Sequence, residues 1–173
     1  MLWIDMEMTG LDEKIESILE IAIIITDIDF NPVETYHRII FQPPEVLERM
    51  DTWCKNTHGK SGLTAAVPHG VMLENAEKEV CALVAKYFKN NERAVLCGNS
   101  IHQDRKFIDL YMKDFAKLLH YRIVDVSSFK EIFKRKYNME FKKTSDGHRA
   151  LEDVQASIDE LKFYLAKVEN PST

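Results

Sequence analysis

The segment Glu20–Asp29 constrains the fold most, because Ile21, Ala22, Ile23, Ile24, Ile25 and Ile28 crowd it with β-branched residues. A surface helix needs a polar face, and this run has none. A strand buried on both sides accommodates it, which requires a sheet covered by helices on each face. Leu2–Met6 reads as a further strand leading into a turn through Thr9, Gly10 and Asp12. Asn31 and Pro32 make a turn after the central run, and Val33–Gln42 alternates as its hairpin partner until Pro43 and Pro44 stop it.

After a polar stretch over Met50–Gly70, Leu73, Ala76, Val80, Leu83, Val84 and Tyr87 share one face at helical spacing. Ala94–Cys97 predicts a short strand, His102 onward a helix that is imperfect around Asp114, and Tyr121–Asp125 a fifth strand. A helix follows from Ser127 or Ser128, either of which suits an N-cap. Beyond a basic loop at Lys142 and Lys143, the residues Leu151, Val154, Ile158, Leu161 and Leu165 form a narrow apolar stripe on a last helix. The order β-β-β-α-β-α-β-α-α predicts an α/β fold, a mixed five-stranded sheet flanked by helices. At 173 residues the chain has the length of one domain, residues 1–173, able to bury a core without disulfides or structural metal.

The chain carries 23 basic and 28 acidic residues, a net charge of −5, which argues against coating long nucleic acid through a basic face. A short oligonucleotide, with few phosphates, is not excluded. Cys54, Cys81 and Cys97 match no C-x-x-C pattern and read as buried thiols in a reducing, intracellular setting. No apolar stretch approaches the roughly 20 residues of a membrane span. The first strand begins at Leu2, which leaves room for a leader or transit peptide removed from the chain.

Asp5 and Glu7 are two apart, so strand alternation sets both carboxylates on one face about 7 Å apart. Among Leu2, Trp3, Ile4, Met6 and Met8, two such anions are costly unless a cation lies between them. The alternative is the solvated acidic face of an edge strand. Asp104 falls in the first turn of a helix that leaves a strand end, where a helix-dipole role competes with ligand binding. His148 and Asp153 stand at the entrance to the last helix. Glu152 and Asp153 cannot both face the sheet at about 100° per residue, and Asp153 flanks the buried stripe. Asp125, at a strand end, is better read as a capping residue.

Asp5, Glu7, Asp104, His148 and Asp153 thus come from separate elements, each near a strand end or helix start. Hard oxygen ligands without paired Cys or His favour Mg²⁺ or Mn²⁺ over Zn²⁺. Two such ions stabilise both the attacking and the leaving oxygen of an in-line phosphoryl displacement, and a nearby His can take the proton of the attacking water.

Four blocks carry a resemblance over nearly the whole chain: W-I-D-M-E-M-T-G-L-D at Trp3–Asp12, C-G-N-S-I-H-Q-D at Cys97–Asp104, H-Y-R-I-V-D-V-S at His120–Ser127 and H-R-A-L-E-D at His148–Asp153. They resemble the oligoribonuclease family of DEDDh 3′-to-5′ exonucleases, which have a ribonuclease-H-like fold. W-C-K-N-T-H-G-K-S-G-L-T at Trp53–Thr64 is similar to the animal and mitochondrial branch. The resemblance implies a single 3′-to-5′ exonuclease domain, active as a homodimer, that cuts very short RNA, dinucleotides above all, to mononucleotides. It implies that Asp5, Glu7, Asp104 and Asp153 hold two Mg²⁺ or Mn²⁺ ions and that His148 is the general base. Leu11 would wedge between the bases, with Trp53, His58 and Tyr121 around them. Ser100, Arg122 and Ser127 would cap the 5′ phosphate, with Tyr121, Arg122 and Ser127 supplied by the partner subunit. Expected localisation is mitochondrial, cytoplasmic or nuclear, with no membrane attachment. Ser145, Asp146 and Gly147 depart from the bacterial pattern just before His148.

Read singly, Trp53 and Tyr121 also suit packed aromatics, Leu11 a loop leucine and Arg122 a surface charge. Two other functions stay open: a DEDDh exonuclease acting on DNA ends, and a catalytically silent nucleic-acid-binding module.

Overall fold

The computed structural model describes residues 1–90, 92–143 and 149–169. Five strands form one sheet in the order β3-β2-β1-β4-β5. β1 (Leu2–Met8) pairs antiparallel with β2 (Ile18–Thr26), and β2 with β3 (Pro32–Ile39). β1 pairs parallel with β4 (Ala94–Gly98), and β4 with β5 (Leu119–Asp125). As far as Thr26 the isoleucine run lies where its composition requires, since all nine residues of β2 are buried.

Alternation sorts β1 and β2 between two apolar cores. Leu2, Ile4, Met6, Ile21, Ile23 and Ile25 pack with Ala76, Val80 and Val84 of helix α4 (Leu73–Tyr87), Phe107 of α5 (His102–Tyr111) and Phe115 of α6 (Lys113–Leu118). Trp3, Ala22 and Ile24 face the other way, onto Val126 of α7 (Val126–Tyr137) and onto Val154, Ile158 and Leu161 of α8 (Ala150–Glu169). The apolar stripe read from the last helix is therefore its contact with the sheet. No helix among the described residues is long and apolar enough to cross a membrane.

Several expectations change: Ile28 falls beyond β2 and is exposed, and Cys81 is only partly buried. The polar stretch before Gly70 holds α1 (Pro44–Glu48), α2 (Thr52–Lys60) and α3 (Leu63–Ala66). Helix α2 buries only Cys54 and His58, four residues apart, and is started by Asp51, whose side chain accepts the Cys54 N–H at 2.7 Å. Tertiary contact with Leu19 and Met50 sustains a segment whose propensity is poor. The helix expected from His102 breaks at buried Met112, whose φ of −124° and ψ of 63° are not helical, so α5 and α6 are separate. Asp125, as its strand-end position suggested, caps α7, and neither Ser127 nor Ser128 does: its side chain accepts the Ser127 N–H at 3.0 Å.

The parallel junction of β1 and β4 delivers the loop that leads to α5. A Cβ on Gly98 would lie 2.7 Å from the Ile4 carbonyl oxygen, a backbone atom that cannot swing aside. Gly98→Ala should cost about 1–3 kcal/mol in denaturant unfolding, as overpacked interiors do. An unchanged midpoint would contradict this tight strand contact.

Candidate active site

Beyond Trp3, the next residues on the α8-facing side of β1 are Asp5 and Glu7. The first turn of α8 adds Asp153, while Glu152 turns outward and is exposed. Asp5, Glu7 and Asp153 each offer an oxygen, all within 4.8 Å of one another. Asp104, 5% exposed in the first turn of α5, lies outside this group of three. Its Oδ1 accepts the Met6 N–H at 2.9 Å, which fastens α5 to the strand between Asp5 and Glu7. Lys143 reaches the group by an ion pair with Asp153. His148 lies outside the described residues.

Like charges buried together resist ionisation. Burial, then Asp104, Asp153 and Glu7, push the Asp5 carboxyl well above the usual range. Burial and then Asp153 raise Glu7 from 4.5 to about 7, against opposing effects of Lys143 and Arg149. Burial raises Asp104 from 3.8 to about 8 despite its backbone hydrogen bonds. Such a set of oxygens fits a hard divalent cation, which would relieve the repulsion that one lysine leaves in place.

The carboxylates lie between two clefts. One, of about 530 Å³, is lined by Glu7, Met8, Leu11, Trp53 and His58. Leu11 and Trp53 are 67% and 60% exposed, so neither is a packed core residue. The loop bearing Leu11 is tied by the Thr9 hydroxyl, which donates to Glu16 at 2.5 Å and accepts the Ser17 N–H at 2.9 Å. His58 is buried, with Nε2 2.9 Å from the Met8 carbonyl and Nδ1 3.9 Å from Glu7.

The other cleft, of about 440 Å³, is lined by Asp5 and Asp153 together with Ser100, Ser127, Lys130 and Lys143. Asp125 joins its two serines: one oxygen accepts the Ser100 N–H, the Ser127 N–H and, at 2.6 Å, the Ser127 hydroxyl. Ser100 has a φ of 49°, in the left-handed region. Tyr121 and Arg122 line neither cleft. They project from edge strand β5, with Tyr121 75% exposed and the Arg122 guanidinium 5.1 Å from its ring.

Two buried acids, Glu20 and Glu160, escaped the sequence reading, and the first adjoins the carboxylate group. Glu20, opposite Glu7 in the β1–β2 register, bonds Arg149, His37 and the Ala150 N–H. Its signal was an acid adjoining an isoleucine run, which says that a partner is needed without saying which.

The profile of the RNase_T exonuclease family matches residues 2–161. The mitochondrial oligoribonuclease of Bos taurus is 48% identical over 169 residues, covering 95% of this chain and 71% of the relative. A probable oligoribonuclease of Dictyostelium discoideum is 45% identical over 171 residues, covering 97% and 90%. Among solved structures, E. coli exonuclease I in complex with a dT13 oligonucleotide superposes with a TM-score of 0.68 at 14% identity over 98% of this chain. The chain spans 41% of that protein's length, and the likeness shows a shared exonuclease fold. With relatives above 40% identity matched along most of their length and an exonuclease profile over nearly all of its own, this chain belongs to the oligoribonuclease family of exonucleases.

Proposed function

We propose that this single-domain enzyme hydrolyses very short oligoribonucleotides from the 3′ end, diribonucleotides above all, releasing nucleoside 5′-monophosphates and completing RNA decay. The observation that carries this reading is the acidic group lying between two small clefts of unlike character, one apolar and one hydroxyl- and lysine-lined. A phosphodiester over the carboxylates has room for a base on the Trp53 side and a phosphate on the Ser100 side. The net charge of −5 argues the same way, since a long polyanion gains little from such a surface.

In this reading Asp5, Glu7, Asp153 and Asp104 hold two divalent ions, Mg²⁺ or Mn²⁺. These ions would stabilise charge on the phosphoryl oxygens and acidify a water. Asp104, held by the Met6 N–H, keeps one oxygen oriented within the strand–helix junction. His148 takes the proton of the attacking water, a role that suits a side chain titrating near neutrality. Leu11, Trp53 and His58 contact the bases, where stacking is worth about 1–3 kcal/mol per base. Ser100 and Ser127 meet the 5′ phosphate.

Tyr121 and Arg122 act in a neighbouring subunit of a homodimer. Their exposure on an edge strand, outside both clefts of their own chain, supports this. Relatives named as mitochondrial and three free thiols favour a reducing compartment, the mitochondrion foremost.

The test compares single-turnover cleavage of a 5′-phosphorylated diribonucleotide, a 7-mer RNA and the corresponding DNA. The diribonucleotide should be cut fastest, and Arg122→Ala should narrow its advantage over the 7-mer. Equal rates on all three would remove the short-RNA reading, and preference for DNA would replace it with the DNA-end alternative.

The raised carboxyls give a second prediction. Their folded-state values exceed the ordinary 4.5 and 3.8, at about 7 for Glu7 and about 8 for Asp104, so the cation-free fold keeps protons that the unfolded chain releases. That stability is complete below about pH 4 and is lost as pH rises towards 8. Bound cations displace those protons and stabilise most where the acids are ionised. In chelator, the melting temperature should fall between pH 5 and 8, and the rise on adding Mn²⁺ should grow over the same range. A pH-independent Mn²⁺ effect would contradict cation binding by these acids.

A further inference from the structure

Glu20 is a buried carboxylate to which nothing above assigns a part in the reaction. Its side chain is 1% exposed, in a strand whose next residues are Ile21, Ala22 and Ile23. A charge there survives only if paired and hydrogen-bonded. Arg149 supplies a fork: Nη2 donates to Oε1 at 2.7 Å, and Nε lies 3.0 Å from Oε1 and 3.2 Å from Oε2. The Ala150 N–H donates to Oε2 at 3.2 Å, and His37 Nε2 lies 2.6 Å from Oε1. Burial pushes the carboxyl up, but the bonds from His37, Arg149 and Ala150 outweigh it and hold it at about 2.

Ala150 is the first residue of α8, and Asp153 lies in the same first turn. Glu20 thus does from another strand what a capping side chain does locally, and it sets a negative charge at the positive end of a 20-residue helix. Arg149 Nη1 also reaches the Ser61 carbonyl at 3.4 Å, tying the same point to the connection between α2 and α3. β2 is hydrogen-bonded to β1 along its length, so a clamp from β2 to the start of α8 fixes the spacing between Asp153 on the helix and Asp5 and Glu7 on the strand. In sequence, Arg149 directly follows His148.

We infer that Glu20 and Arg149 form a positioning pair for the reaction, locking the first turn of α8 so that Asp153 meets Asp5 and Glu7 and tethering the chain one residue from His148. This inference rests on the nuclease reading of the carboxylate group. The pair acts through geometry, because its two charges affect Glu7 in opposite senses: Glu20 raises its pKa and Arg149 lowers it.

Glu20→Gln keeps the shape and loses the ionic clamp. Arg149→Ala removes the fork at a partly exposed position where folding is expected to survive. Each variant, and the double variant, is compared with wild type by thermal melting, by Mn²⁺ titration followed by electron paramagnetic resonance, and by kcat and KM on a 5′-phosphorylated diribonucleotide. Mn²⁺ affinity and kcat should each fall about 10- to 100-fold, as when outer partners of metal ligands are removed. KM should change little, and the double variant should lose no more than the worse single one, since the two act as a unit. A folded single variant with wild-type Mn²⁺ affinity and kcat would overturn the proposal. Losses that add in the double variant, or a lower melting temperature with undiminished kcat, would do the same. Mn²⁺ affinity reads the positioning role even if wild type leaves RNA uncut, which separates failure of this inference from failure of the substrate reading.

Discussion

The repulsion among partly buried carboxylates on the α8 side of β1 governs the rest of the molecule. Strand alternation allows no escape: a residue on the face of Trp3 must point where Trp3 points, and Asp5 and Glu7 do. A slip of one residue would drive both acids into the opposite apolar core and turn Leu2, Ile4 and Met6 out of it, so the register cannot relieve the repulsion. The central sheet therefore holds the anions in place through the same packing that stabilises it. Helix α8 adds Asp153, and α5 brings Asp104 in behind the strand.

Surrounding elements divide between containing that charge and offering it a substrate. Lys143 offsets part of it through its ion pair with Asp153, and Arg149 opposes it at Glu7. The loop after β1 and helix α2 build an apolar wall from Leu11, Trp53 and His58. Across the acids, Asp125 joins Ser100 to Ser127, bringing the turns after β4 and β5 to one cleft. Small clefts on either side of a charged centre suit a substrate with one scissile linkage better than a polymer threaded along a basic track.

How much of this was legible in the sequence follows from the range of the forces involved. The isoleucine run of β2, the alternation of Asp5 and Glu7 and the choice of Asp153 over Glu152 depend on local periodicity, and each appears in the fold as read. Helix α2 left little trace because only two of its residues are buried and its stability comes from Leu19 and Met50. The break at Met112 was visible only as irregular spacing, since that residue's burial in the core depends on contacts distant in sequence. The pairing of Glu20 was illegible, since its partner Arg149 is 129 residues away and no pattern spans that separation. Tyr121 and Arg122 stand apart from both clefts of one chain, so their placement alone defines no role within it.

The central claim is that the acidic group becomes a working site when cations replace the missing positive charge. It is tested most directly by restoring Mn²⁺ stepwise to chelated protein while measuring bound ions and single-turnover cleavage of a diribonucleotide together. The account predicts no cleavage without cation, a rate that rises in step with occupancy, and neither binding nor cleavage in Asp5→Ala. Cleavage that persists in excess chelator would contradict it.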